Sequence, residues 1–289
     1  MIQESSAKAW DIMLDAAECL MAAGIVSARE EAELLLADIT GWDRSALYID
    51  RTKILSLEQK EQYDEGIRRR TLGEPYAYIV GYRNFYKHNF KVTADTLIPR
   101  GDSEALINAV LSHVGQDQTH RILDLGTGSG CLILSLLHEM QHATGVGVDF
   151  NPAALAVAAE NAVIVGCNDR VRWQQSNWFD DLDEGGEPFS ILISNPPYIP
   201  SEHIDVLDVG VKSFEPRLAL DGGQSGLDSY EKILKGMSKY VTIDSLIIFE
   251  VGIYQAKDLS KMLQEMGLRN IKIFKDLDQI DRVVSAIYV

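Results

Sequence analysis

Positive charge is scarce in this chain of 289 residues: 27 Lys and Arg stand against 43 Asp and Glu, a formal net charge of -16. Such a balance repels phosphate backbones and argues against non-specific nucleic-acid binding. Cysteine is also rare. Cys19, Cys131 and Cys167 are far apart with no Cys-x-x-Cys spacing, which suggests neither a disulfide framework nor a thiolate zinc site. No apolar run approaches the roughly 20 residues needed to span a bilayer. Met1-Ile2-Gln3-Glu4 does not begin a basic region, apolar stretch and small-residue cleavage site, so the expected location is the cytoplasm, with no membrane partner.

What is present is apolar periodicity, in two kinds. From Ser5 to Gly24, Trp10, Met13, Leu14, Ala17, Leu20 and Met21 form one helical stripe, with Gly24 placed for a left-handed cap. Ser27 with Glu30, and Ser56 with Gln59, predict capping boxes ahead of two further helices, the second ending near Arg68-Arg69-Arg70. Residues 1–73 are therefore expected to be a small helical bundle. Residues 74–95 read as a linker in which "YRNFYKHNFKV" alternates as a hairpin does. Arg83, Lys87, Lys91 and nearby Arg100 outnumber Asp95 there and would form one locally basic surface, or simply a solvated hairpin face.

From 96 to 289 strands alternate with helices: "RILDLG", "GVGVDF", "VRWQQ", "FSILISN" and "LIIFEVG", then "NIKIFK" and "RVVSAIYV" joined by a short link that suits an antiparallel hairpin. The expected fold is α/β, a Rossmann-like sheet of seven mostly parallel strands with the last one reversed.

The first of these strands runs into Asp124-Leu125-Gly126-Thr127-Gly128-Ser129-Gly130, whose glycines allow a tight turn and close backbone approach to a nucleoside. Asp149 closes the next strand, where a carboxylate can accept hydrogen bonds from both ribose hydroxyls. Nicotinamide and S-adenosylmethionine sites share this geometry, and the glycines do not choose between them. "SNPPYIP", Ser194 to Pro200, makes the choice. An amide or ring amine is a poor nucleophile because its lone pair is delocalised. The Asn195 side-chain oxygen and the Pro196 carbonyl can each accept one N–H of a planar NH2 group and aim it at an electrophilic methyl. The two imides fix that carbonyl, and Tyr198 offers a flat face to a planar substrate and a cationic sulfur.

In these residues the chain resembles the HemK/PrmC glutamine methyltransferases. The likeness spans nearly the whole chain, through "GEPYAYIVGYRNFY", "LIPRGDSE", "ILDLGTGSG", "SNWF", "SNPPYI", "FEPRLALDGG" and "FEVG" in order. The resemblance implies a class I methyltransferase fold, with S-adenosyl-L-methionine as methyl donor and S-adenosyl-L-homocysteine as product. The implied substrate is the side-chain amide N5 of the glutamine in the Gly-Gly-Gln motif of peptide chain release factors. It implies donor contacts from Gly126, Thr127, Gly128, Ser129, Gly130, Asp149, Trp178 and Asn195, and a glutamine received by Asn195, Pro196, Pro197 and Tyr198, with Asn195, Pro196 and Tyr198 as the catalytic set. The helical bundle would dock the substrate, no metal is called for, and a monomer without direct nucleic-acid binding is expected. Family members often carry Asp where this chain has Asn177, and commonly Pro where it has Gly101. Arg100 and Glu250 are given structural readings.

Two rival readings stay open on the residues alone. Adenine or guanine amino groups fit the same Asn195 and Pro196 acceptors, so a nucleic-acid methyltransferase is the alternative. "HEMQH", His138 to His142, matches a zinc-protease pattern, with Glu160 as a conceivable third ligand, but it lies far along a helix from the glycine turn. The chain also carries its own Gly222-Gly223-Gln224, read as a coincidence in a loop.

Overall fold

The computed structural model describes residues 8–115, 117–183 and 186–289, so the Ser5 start expected for the first helix lies outside the described residues. Two compact units divide the chain at Gly81/Tyr82, and Val209–Phe214 returns to the first of them.

In the first unit, α1 (Ala9–Ala22), α2 (Ala28–Thr40), α3 (Arg44–Ile49), α4 (Leu57–Thr71) and α5 (Tyr76–Val80) surround Met13, Leu20, Leu36 and Tyr63, all fully buried. The stripe on α1 packs as its spacing requires, except that Met21 faces outward, 65% exposed. Gly24 adopts φ +83°, and the Ile25 N–H returns to the Leu20 carbonyl at 3.0 Å, closing the helix. Of the two expected capping boxes only one forms. Ser56 has an extended backbone, and its hydroxyl accepts the Gln59 N–H at 3.1 Å while the Gln59 side chain accepts the Ser56 N–H at 3.0 Å. Ser27 sits at ψ 33°, which turns its hydroxyl away to donate to Glu31 at 3.3 Å instead.

The second unit begins with a hairpin, β1 (Tyr82–Phe85) and β2 (His88–Lys91), followed by α6 (Glu104–His113), β3 (Arg121–Leu125), α7 (Cys131–Glu139), β4 (Thr144–Asp149), α8 (Pro152–Val165), β5 (Val171–Gln175) and β6 (Phe189–Ser194). After α9 (Val209–Lys212), which belongs to the first unit, come α10 (Asp228–Gly236), β7 (Val241–Glu250), α11 (Ala256–Glu265), β8 (Arg269–Lys275) and β9 (Asp281–Ile287). The seven strands from β3 onward form one sheet in the order β5-β4-β3-β6-β7-β9-β8. β9 runs antiparallel to both neighbours and all other pairs are parallel, as the short 276–281 link suggests. Ile133, Leu134 and Leu137 bury one face of this sheet; Tyr230, Ile233 and Leu259 bury the other.

Register positions the site. Leu125 pairs with Val148 on one side and Ser194 on the other, and Ser194 pairs with Phe249. One step further along each strand stand Gly126, Asp149, Asn195 and Glu250, a row across four adjacent strands about 4.8 Å apart. The sequence scatters these residues over 125 positions, and the parallel ladder gathers them at the carboxyl edge, where open sheets of this type hold ligands.

Candidate active site

A cavity of about 460 Å³ opens above that row, within the second unit. Its volume falls within the roughly 300–1,000 Å³ usual for pockets that enclose small molecules. One wall is the glycine turn. Gly126, Gly128 and Gly130 all have positive φ, +71°, +55° and +79°, which side-chain-bearing residues rarely adopt. The turn is pinned by the Val148 carbonyl, which accepts the N–H groups of Gly126 and Thr127 at 2.9 Å each, and by the Thr127 hydroxyl, which donates to buried Asp124 at 2.6 Å. A Cβ on Gly128 would meet nothing within 4 Å, so the backbone there borders open space.

Asp149 accepts the Gly128 N–H at 2.8 Å on one oxygen and the Asn151 N–H at 2.9 Å on the other. Each oxygen therefore keeps a lone pair for a further donor, and burial raises the carboxyl's pKa. Trp178, held at φ +57°, lines the cavity beside Gly126, as do Thr127, Ser129, Asn195 and Pro197. Asn177 also lines it, with its side-chain amide donating to Asp180 at 2.8 Å. Gly130, Pro196 and Tyr198 are not part of the lining. Gly130 caps α7 on the packed side, where a Cβ would come within 3.0 Å of the Trp173 ring. Pro196 is buried, and Tyr198 is largely enclosed against Gly252, with burial raising its phenol's pKa.

The corner from Asn195 is held in place by a second segment. The Ile199 N–H donates to the Leu220 carbonyl at 3.0 Å and the Gly222 N–H to the Ile199 carbonyl at 2.8 Å. A Cβ on Gly222 would lie 2.8 Å from the Pro197 carbonyl oxygen, so only glycine permits this approach. The chain's own Gly222-Gly223-Gln224 thus serves packing, with Gln224 exposed. Arg100 pairs with Glu215, whose other oxygen accepts the Ile98 N–H at 3.2 Å, so the 97–103 and 215–221 segments are tied together along the cavity.

Several cavity residues were absent from the sequence reading. Phe150, 60% exposed, and Leu218, 71% exposed, border the opening, and Ser103 lies deep in it. A large apolar residue directly after the ribose-type Asp149 was the available signal for Phe150; Leu218 and Ser103 lie inside "FEPRLALDGG" and "LIPRGDSE", which carry the family likeness without giving either residue a role. The expected basic surface is mostly neutralised: Lys87 pairs with Glu139, Lys91 with Glu160 and Arg100 with Glu215, which leaves the solvated-face reading for the hairpin. The zinc-protease pattern fails locally. α7 ends at Glu139, so His138 and His142 do not share a helical face, and among the described residues no group of three His, Cys, Asp or Glu could hold a metal.

A seven-stranded sheet with this strand order, a reversed β9 and a glycine turn beside an acidic strand end defines the class I S-adenosylmethionine-dependent methyltransferase fold. A methyltransferase from Pyrococcus furiosus shares that fold with a TM-score of 0.50 at 13% identity, over 69% of this chain and 88% of its own. The methyltransferase small domain family matches residues 102–214, and the PrmC N-terminal domain family matches residues 11–81. The release factor glutamine methyltransferase of Cereibacter sphaeroides is 36% identical over 96% of this chain and 98% of its own. That of Caulobacter vibrioides is 35% identical over 97% and 95%. The chain belongs to the release factor glutamine methyltransferase family.

Proposed function

We propose that this protein transfers a methyl group from S-adenosylmethionine to the side-chain amide nitrogen of the glutamine in the Gly-Gly-Gln motif of peptide chain release factors. The observation that carries this reading is the row Gly126, Asp149, Asn195 at one sheet edge, which sets an amide-accepting corner beside a nucleoside-type cradle.

The residues present fit the donor. Gly126 to Ser129 bring backbone close to the open space, Asp149 keeps acceptor capacity for ribose hydroxyls, and Trp178 gives an apolar wall. When bound, S-adenosylmethionine supplies a methyl group on a cationic, electrophilic sulfur. The side-chain oxygen of Asn195 and the Pro196 carbonyl accept the two amide hydrogens of the glutamine and fix its nitrogen in the attacking orientation. Pro197 lines the slot, and Tyr198, outside the lining and packed against Gly252, supports the corner from behind. The methylated amide is strongly acidic until it sheds its extra proton, so no strong base is required of the protein.

The helical first unit docks the release factor; the enzyme acts as a monomer in the cytoplasm and does not bind nucleic acid. The acidic balance of the chain supports a protein substrate over a nucleic acid. No helix among the described residues is long and apolar enough to cross a membrane. Incubation with labelled S-adenosylmethionine and release factors, tRNA, rRNA or DNA, followed by mass mapping, tests the proposal. Label on the glutamine is the expected result, and label on an adenine or guanine instead would overturn it.

A further inference from the structure

Glu250 is the fourth member of the row and is only 1% exposed. A buried carboxyl normally has a partner for each oxygen, yet Oε2 has none. The nearby cation, Arg282 on β9, is committed elsewhere: it bonds Asp276 at 3.1 Å and pairs with Asp102 at 3.2 Å. What the Glu250 carboxyl does face is the Ser103 hydroxyl and the Asn195 side-chain amide. The Asn195 Nδ2 in turn points at the Ser103 oxygen, 3.5 Å away.

This arrangement resolves an ambiguity in the proposed chemistry. A carboxamide has two faces of nearly equal shape, one accepting and one donating. If Asn195 presented its NH2 to the slot, it would meet the substrate's own NH2 donor to donor. Resting on the function proposed above, we infer that Glu250, with Ser103, is a positioning residue that takes the Asn195 amide hydrogens and so keeps the Asn195 oxygen facing the incoming glutamine.

The ionised carboxylate only accepts, which enforces this orientation; the neutral acid carries an O–H that can donate to the Asn195 oxygen and reverse it. Burial pushes the Glu250 carboxyl up to about 7, with Ser103, Arg282 and Asn195 opposing and Asp102 reinforcing. The remaining titratable groups around it are Tyr198 at the corner, Tyr230 on α10 and Cys131 at the start of α7, all held neutral by pKa values raised through burial. Orientation is therefore weakened below neutral pH and secured above it.

The test uses the full chain with Glu250→Ala and Glu250→Gln, measuring kcat and KM for the release factor from pH 6 to 9, donor affinity by calorimetry, and thermal stability. Misorientation of a positioned group costs on the order of 10 to 100-fold in rate. Glu250→Ala is expected to lose that much in kcat with donor affinity kept within about twofold. The wild type is expected to gain kcat with rising pH through neutrality. Glu250→Gln, which still accepts a hydrogen but does not titrate, is expected to exceed Glu250→Ala and to lose that rise. A kcat for Glu250→Ala equal to wild type, or a pH rise retained in Glu250→Gln, overturns the inference. The Gln variant decides the matter if the Ala variant fails to fold. A wild-type enzyme that leaves the release factor glutamine unmodified overturns the proposed function, and this inference with it.

Discussion

Substituting Gly147 by alanine is expected to loosen the glycine turn from behind, without replacing any residue of the cavity. Gly147 on β4 pairs directly with Trp173 on β5, and the indole lies across the space its missing Cβ leaves. A Cβ there would sit 2.3 Å from one ring carbon, 2.6 Å from another and 3.1 Å from the Thr127 hydroxyl. Carbon atoms settle at about 3.5–4.0 Å, so the ring has to move by more than about 1 Å. On its other side the same ring is already 3.0 Å from the Cβ position of Gly130. Overpacking of this kind costs about 1–3 kcal/mol. For a unit of this size that lowers Tm by roughly 2–12 °C. If about 1.4 kcal/mol of the strain falls on the turn, affinity for S-adenosylhomocysteine drops about tenfold. Calorimetric unfolding and ligand titration measure both. Gly101→Ala is the control, since a Cβ at Gly101 meets nothing within 4 Å and its φ is not positive. A Tm and an affinity for Gly147→Ala that match this control would refute the packing argument.

Asn195→Ala is expected to lower kcat by about 10²–10³, the scale of one lost transition-state contact, while its Tm stays near wild type because the side chain's hydrogen bond to Ser103 is a long 3.5 Å one. Single-turnover methylation checks it, and near-full activity sinks the role given to Asn195. Stability is expected to fall as pH rises from 6 to 8. Asp124 and Glu250 both have folded pKa values raised to about 7 by burial, so the native state holds protons the unfolded chain releases near pH 4, and the stabilisation is lost as pH climbs through 7. Thermal melts across that range test this, and a flat or rising Tm would contradict it. A chain beginning at Tyr82, with Val209→Ser and Phe214→Ser to make that segment soluble, is expected to keep donor affinity and lose affinity for the release factor; unchanged capture would remove the docking role.

Much of this was legible because it is local. Strand alternation, the glycine turn, Asp149 and the Asn-Pro-Pro-Tyr corner each depend on residues within a few positions of one another. What stayed hidden depends on distant partners. Lys87 and Lys91 read as a basic face because Glu139 and Glu160, which neutralise them, are 52 and 69 positions away. The helix of "YAYIV" was folded into a linker since five residues are too few to show a period, and Val209–Phe214 gives no sign in the sequence of returning to the first unit. The Ser27 box failed on backbone angle, which the serine itself does not dictate. Glu250 did leave a trace: a carboxylate ending the apolar run "LIIFE" is costly to bury without purpose.

The reversed strand bears on how the protein is made. Among the described residues β8 pairs only with β9, and β9 is the sole neighbour on that side of β7. A ribosome releases β7 and β8 first, so β7 waits with an open edge until Asp281–Ile287 emerges and the β8–β9 hairpin closes over it. Arg282 arrives on that same strand, opposite the end of β7. The β7 edge that ends in Glu250 is therefore covered last, after the residues of the glycine turn and of the Asn195 corner have already emerged.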